Sequence, residues 1–318
     1  MEASIIDPKP LVYLIMLNFN GKYHLEYSIP SVMKTDYPDY RFIIVDNASD
    51  DNSIDFIKNN FPNIELITNS KNKGWAGGNN DGIRHAMNKG AKYIVLINND
   101  ILVHPDWIKN AVSIAEQNPD IGAIGFNGLS LQREKEKLDE AIRKPPPLSF
   151  QETDFVTGWA LFLRAEVFKY LGFIDEKYFS FGEETDFEIR LKIAGYSIVK
   201  INTPLCHYSG GSYSKYPITA AYLFIRNSLR IELKFMNLKV FLKKIYFIAI
   251  GIRAGRQNLA ADRGYFYKNI LVPKSRWFSF LILAYSILWN LVNLPTTLVI
   301  GKKEYRRAVE TRGLLQKK

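Results

Sequence analysis

An α/β fold is predicted by three observations. Short apolar runs rich in β-branched residues at 11–17, 41–45 and 93–97 have the length and composition of buried parallel strands. Each runs into a polar loop: Asn18-Phe19-Asn20-Gly21, Asp46-Asn47-Ala48-Ser49-Asp50 and Asn98-Asn99-Asp100. Helical patterns lie between them, and repetition of strand, polar loop and helix marks a doubly wound sheet. Ligands of such sheets gather at the carboxyl ends of strands, so function is expected in these loops.

Taken in order, the first strand is followed by helix-spaced Leu25, Ile29, Val32 and Met33, closed at Tyr37-Pro38, and then by the second strand. That spacing is a βαβ unit. Ile54 and Ile57 mark the next helix, and 64–67 a third strand. The first loop lacks G-x-G-x-x-G, which disfavours an NAD-type domain. Residues 71–82 form a Gly-rich loop that opens a helix. It serves either close helix packing or, with Lys71 or Lys73, a phosphate-bearing ligand. The central strand at 93–97 ends in Asn98-Asn99-Asp100, where Asp100 either holds a divalent cation or belongs to a polar turn that caps the helix near Pro105.

Beyond that helix, 121–126 is a short strand, and the charged stretch 132–144 with Pro145-Pro146-Pro147 reads as a surface excursion. Residues 155–163 resume the fold as a strand or hairpin, and 165–171 as a helix. Ser180 and Glu183 fit a capping box, which accounts for Glu183 but leaves Glu184 or Asp186 available as a base. The helix they open stops at Gly195. A last strand at 198–201 precedes Cys206-His207; His207 is either polar surface or a further ligand beside Asp100. Cys206 makes zinc conceivable, but no second cysteine supports it.

At 318 residues, 47% hydrophobic and 23% charged, the chain is long enough for one large domain or a domain with an appendage, and wholesale disorder is excluded. Its single cysteine cannot form an internal disulfide. The net charge of +10 is uneven: residues 215–318 hold 20 Lys+Arg against 4 Asp+Glu, leaving 22 against 28 in the rest. Because the basic tail also carries long apolar runs, an anionic membrane surface is expected as its partner and nucleic acid is not. Residues 278–300 carry no formal charge and are long enough to span a bilayer, yet Asn290, Asn293 and Pro295 interrupt them, which favours helices lying in the interface. The alternative is a helical cap or an interface between copies of the chain. Residues 1–10 are acidic and contain proline, unlike a cleavable signal peptide.

The stretches 17–20, 45–50, 74–82, 96–100, 157–159, 181–190 and 207–212 resemble, in order, the motifs of family-2 glycosyltransferases of the GT-A fold, most closely the rhamnosyltransferase-like branch. The resemblance covers about residues 10–215. It implies a GT-A type, Rossmann-like mixed and mostly parallel sheet flanked by helices, as a nucleotide-sugar-binding catalytic domain at 1–215. A basic, apolar and membrane-associating helical region follows at 216–318.

The resemblance also implies roles. Asp46 matches the acid that bonds the donor's nucleobase, with Asn18 and Asn80 as neighbours. Asn98-Asn99-Asp100 matches the D-x-D motif, which puts Asn98 near the ribose and Asp100 on Mg²⁺ or Mn²⁺, and His207 matches a histidine that completes the metal site. Glu184 falls on the general base, while Trp159, Glu183 and Asp186 are expected around the donor sugar or acceptor. Asn98 and Glu184 each replace the usual Asp.

The expected activity is therefore inverting, metal-dependent transfer of a sugar from a nucleoside diphosphate to a hydroxyl of a glycan or lipid-linked acceptor, at the cytoplasmic face of the cell membrane. A bound cation offsets the leaving group's charge. A single displacement needs one carboxylate base, not the pair a hydrolase uses. The rivals are a sugar nucleotidyltransferase and a non-catalytic membrane-associated scaffold with the same fold.

Overall fold

The computed structural model describes residues 9–208, 216–235, 237–254, 258–260, 266–268 and 275–316. They pack as two compact units. The first comprises the described parts of Met1–Lys73, Gly78–Lys169 and Tyr196–Ser209, the second those of Gly74–Gly77, Tyr170–Gly195 and Gly210–Lys318. Residues 1–8, 209–215 and 274 carried sequence expectations (the leader, the domain boundary, a basic flank) and lie outside the described residues.

In the first unit, β1 (Val12–Asn18), β2 (Tyr40–Asp46), β3 (Glu65–Thr68), β4 (Tyr93–Asn98), β5 (Ile101–Val103), β6 (Ile121–Ser130), β7 (Phe150–Glu152), β8 (Ala160–Arg164) and β9 (Ser197–His207) form one mixed sheet, nine-stranded among the described residues. Its order is β3-β2-β1-β4-β8-β6-β9-β5, with β7 paired to β9. The first four strands in that order run parallel. Helices α1 (Lys22–Val32), α2 (Ser53–Asn60), α3 (Gly74–Asn88), α4 (Trp107–Gln117) and α5 (Leu131–Arg143) intervene in the sequence. β1 and β4 are apolar on both faces because both are buried, as central parallel strands are. Val12, Leu14, Met16, Val95 and Ile97 share a core with Leu25 and Ile29 of α1 and with Trp107 and Ala111 of α4.

The register sets the site. Asn18 pairs with Asp46 across β1 and β2, and Leu17 with Asn98 across β1 and β4, so the polar ends lie in one row. His207, at the end of β9, pairs with Ile101 of β5 and so arrives beside Asp100.

The charged stretch at 132–144 stays mostly exposed, as expected, and it is helical. It is α5 over most of its length, broken only by non-helical backbone at Glu134. Its one buried residue, Leu138, anchors it, and Lys137 bridges Glu134 at 2.7 Å. A helix that buries so little apolar surface leaves almost no periodic signal.

The second unit contains α6 (Glu166–Leu171) in part, a 3-10 turn at Glu176–Tyr178, α7 (Glu183–Ile193), α8 (Pro217–Lys234), α9 (Leu238–Arg253), α10 (Arg276–Val292) and α11 (Leu294–Leu315). A small antiparallel ladder joins β10 (Asn258–Ala260) to β11 (Phe266–Lys268). The uncharged run at 278–300 is two helices that break at Asn293 and bend by 65°. Among the described residues no single helix is long and apolar enough to cross a membrane, though this bent pair passes by length and composition.

Apolar packing of α8, α9 and α10 builds a core from Ile225, Leu229, Phe241, Ile248 and Ile282. Next to it lies a buried ion cluster. Lys234 Nζ reaches Asp186 Oδ2 at 2.6 Å, Glu304 Oε2 at 2.6 Å and Asp175 Oδ2 at 2.9 Å. Arg230 meets Asp175 at 2.9 Å, and Arg190 Nε meets Asp186 at 2.9 Å.

Three cations thus face three carboxylates. Burial alone would raise the Asp175 pKa, but Lys234 and Arg230 hold it well below the usual carboxylate range. A depressed carboxyl contributes stability that is fully present above its unfolded pKa, about 3.9, and is lost as pH falls toward the folded value.

Lys234→Met would leave these carboxylates short of a cation. It is expected to cost about 3–5 kcal/mol, the usual penalty for removing one member of a buried pair. Urea unfolding at neutral pH measures it; a change below about 1 kcal/mol would show that the cluster relaxes without Lys234.

Candidate active site

At the ends of β1 and β2, Asn18 and Asp46 are fully buried. Asn18 Nδ2 donates to Asp46 Oδ2 at 2.8 Å and to Ser49 Oγ at 3.2 Å, while Ser49 N donates to Asp46 Oδ1 at 2.8 Å. The Asp46 carboxylate is therefore held at both oxygens. The chain turns sharply there, with Ala48 at φ 67° and Asn20 at φ 50°.

Asn99 Nδ2 donates to Asn18 Oδ1 at 2.6 Å and so ties the end of β4 to β1. Gly21 makes room for this contact: a Cβ there would lie 1.9 Å from Asn99 Nδ2 and 2.6 Å from Asn18 Oδ1. Asn99 and Ser49 lie inside motifs visible in the sequence. Their contacts were not, because they join loops 81 and 31 residues apart. Asn80 is buried on α3, and the same helix brings Gly78 against Leu17 and Asn47 with no space for a larger residue.

Asp100 and His207 come together as expected. His207 Nε2 lies 3.1 Å from Asp100 Oδ1 and 3.4 Å from Asn98 Nδ2. The imidazole stacks on Trp159 with centroids 5.1 Å apart and planes 12° apart, which fixes its orientation. Asp100 is buried, and its Oδ1 accepts no aligned hydrogen bond among the described residues. Burial first, then the charge of Asp100, pushes the Tyr27 phenol pKa well up.

These two side chains fit a divalent cation. Adjacent ligands of an octahedral ion at about 2.1 Å stand about 3 Å apart, and an underused buried carboxylate oxygen is the donor such an ion seeks. Among the described residues no group of three or more His, Cys, Asp or Glu could hold a metal. One carboxylate and one imidazole suit an ion that takes its remaining ligands from water and phosphate oxygens.

In the second unit α7 opens at Glu183 after Gly182, whose φ of 89° only glycine adopts freely. Glu183 is buried and its Oε2 has no hydrogen-bond partner among the described residues. Burial first, and then the charge of Glu184, raises the Glu183 pKa well above the carboxylate range; burial raises that of Glu184 too. A carboxyl group with a raised pKa is a stronger base once deprotonated. Asp186 is fully buried: Tyr178 and Lys234 take Oδ2 and Arg190 takes Oδ1, so no part of it faces solvent. The last resembling stretch, 207–212, is described only through Tyr208.

A family model described as glycosyl transferase family 2 matches residues 13–171. An uncharacterized glycosyltransferase of Haemophilus influenzae is 28% identical over 119 residues, covering 36% of this chain and 36% of its own length. The Escherichia coli protein named UDP-Glc:alpha-D-GlcNAc-diphosphoundecaprenol beta-1,3-glucosyltransferase WfgD is 29% identical over 105 residues, covering 33% of this chain and 39% of its own.

The chain thus spans little more than a third of the length of these curated relatives. Among solved structures, the mannosyltransferase PcManGT from Pyrobaculum calidifontis, in complex with GDP-Man and Mn²⁺, superposes with a TM-score of 0.53 at 17% identity, covering 98% of this chain and 89% of that one. At that identity the likeness shows the fold, which is GT-A.

Proposed function

This chain belongs to glycosyl transferase family 2, and from that premise we propose that it moves a hexose or deoxyhexose from a nucleoside-diphosphate sugar to a hydroxyl of a glycan or lipid-linked acceptor, in one inverting displacement that needs Mg²⁺ or Mn²⁺. The observation that carries the reading is Asp100 beside His207, in the same row of strand ends as Asn18 and Asp46. The names of the E. coli and Pyrobaculum relatives support it: one states a UDP-Glc donor and a diphosphoundecaprenol acceptor, the other GDP-Man and Mn²⁺. A rhamnosyltransferase-like donor is the narrower reading, supported by Asn98 in place of an acid.

Asp46, held by Asn18 and Ser49, accepts from the nucleobase, with Asn80 nearby in the pocket. Asn98 contacts the ribose. Asp100 and His207 hold the cation, which offsets the charge of the departing diphosphate. Glu184 takes the proton of the acceptor hydroxyl as it attacks C1. Trp159 and Glu183 border the sugar or acceptor, and Asp186 serves there indirectly, by fixing Tyr178 and Arg190 behind α7. The reaction releases a nucleoside diphosphate. Incubation with a panel of nucleotide sugars and membrane lipid extract tests this; no release of nucleoside diphosphate there, with pyrophosphate released instead from a nucleoside triphosphate and a sugar 1-phosphate, would mean a nucleotidyltransferase.

The C-terminal helices supply the acceptor's surroundings. On α9 the exposed residues include Leu238, Leu242, Tyr246 and Ile250, and on α10 Trp277, Leu281, Tyr285, Leu288 and Val292, spaced to share a face. Neither helix carries an acid, and α9 adds Lys239, Lys243 and Lys244. An apolar face with basic neighbours suits an anionic bilayer surface at the cytoplasmic side. The protein is therefore expected to sediment with phosphatidylglycerol vesicles at low salt and less with phosphatidylcholine vesicles; equal recovery in the supernatant with both would contradict it.

A further inference from the structure

The turn before α7 has an unusual backbone. Ser180 N donates to Tyr178 O at 2.8 Å across Phe179, whose φ of 65° and ψ of −60° make a γ-turn of the rare, strained kind. Phe181 follows at φ 71°. Two bulky aromatic residues with positive φ within three positions do not keep that shape by local preference.

Ala76 N of α3 donates to Phe179 O at 3.3 Å, and the side chains that keep the turn come from α8. Asn227 Nδ2 faces three carbonyls, Tyr178 O at 3.0 Å, Ser180 O at 2.8 Å and Phe181 O at 2.7 Å. Arg226 donates to Lys177 O at 3.1 Å and Tyr178 O at 2.7 Å. Its Nε also donates to Asn227 Oδ1 at 2.8 Å, which turns the amide so that its NH₂ points at the turn. The guanidinium lies 4.5 Å from the Trp289 ring and 5.5 Å from that of Tyr222. Both side chains are buried. Their hydrogen bonds go almost wholly to the carbonyls of this one turn.

We propose that Arg226 and Asn227 are positioning residues for sugar transfer: they hold the 178–181 turn in its left-handed form and thereby set where the first turn of α7 presents Glu183 and Glu184. They touch no reacting atom. The kinetic part of the proposal rests on the reading of Glu184 as the base. Without the clamp, Phe179 and Phe181 relax to negative φ, and the start of α7 rotates with them.

The test uses the full-length protein as wild type, Asn227→Ala, Arg226→Lys and Glu184→Gln. Turnover is read as nucleoside-diphosphate release from a fixed panel of UDP-, GDP- and dTDP-sugars with Mn²⁺ and membrane lipid extract, and amide exchange is followed over residues 176–188. For Asn227→Ala we expect kcat to fall at least about tenfold with the donor KM within about twofold, and the acid limb of the kcat profile to move. Exchange over 176–188 is expected to rise at least about tenfold while the sheet strands keep their protection.

Arg226→Lys keeps the charge but loses the fork, so a smaller loss of the same kind is expected; it carries the test should Asn227→Ala not fold. Unchanged kcat and pH limb overturn the proposal, as does a loss that appears only with exchange throughout the protein. If Glu184→Gln keeps full turnover, the base assignment falls. The clamp then stands or falls on whether Asn227→Ala loses kcat at constant KM.

Discussion

Glu184→Gln is expected to slow sugar transfer about 100- to 10,000-fold, the range that a positioned general base contributes, with donor affinity little changed. Gln keeps the size and the hydrogen-bonding reach of Glu but cannot take the proton. The pH dependence gives an independent check. Burial raises the Glu184 pKa, so the group is protonated and inactive to a higher pH than an ordinary glutamate, whose pKa is about 4.3. Wild-type kcat should therefore rise with pH through a limb above that value and level off once Glu184 is ionised, and the limb should be missing from the residual activity of the Gln variant. Full activity in the variant would transfer the role to another group.

Asp100→Ala is expected to reduce turnover about 100- to 1000-fold, since charge stabilisation by a bound cation is worth several kcal/mol in the transition state and each 1.4 kcal/mol is about tenfold in rate. Asp100 is the carboxylate of the pair, and His207 alone, with Nε2 3.4 Å from the Asn98 amide, is a weak site. The loss should appear as a higher Mn²⁺ requirement, partly restored by raising the metal concentration. Because the substitution empties a small polar site at a strand end, melting temperature should move little. A variant that is inactive at every Mn²⁺ concentration and also unfolded would say nothing of metal; Asp100→Asn, nearly isosteric, then replaces it.

The row of strand ends was legible in the sequence because parallel buried strands announce themselves locally. Apolar β-branched runs meet polar loops, and Asn18, Asp46, Asn98 and Asp100 stand where those runs stop. The meeting of His207 with Asp100 was one of two readings of the residues, and only the family resemblance chose between them, since it depends on the register of β9 against β5. The contact of Asn99 with Asn18 was not legible, because it requires the space that Gly21 leaves.

Electrostatics hid most of the second unit. Asp175 and Asp186 look like surface acids until their partners arrive from α8 and α11, and Lys234 and Glu304 look like part of a basic, solvated tail. Asp186 also has local partners in Arg190, one helical turn on, and Tyr178, but Lys234, which closes the cluster over it, comes from α8, and no local pattern reports that. The same holds for the turn at 178–181: aromatic residues do not signal positive φ, and the amide that holds them there is Asn227. In the run at 278–300, by contrast, Asn293 and Pro295 do mark the break that the helices show.

The proposed function turns on Asp100 and His207 forming a cation-dependent site for the diphosphate of a nucleotide sugar. Calorimetric titration of the wild type and of Asp100→Ala with UDP- and GDP-sugars, with Mn²⁺ and with a chelator, tests it most directly. Binding to the wild type is expected to be at least about tenfold tighter with Mn²⁺, with that gain abolished in Asp100→Ala. Equal affinity in Mn²⁺ and in chelator, or a Mn²⁺ gain that survives in Asp100→Ala, would contradict it.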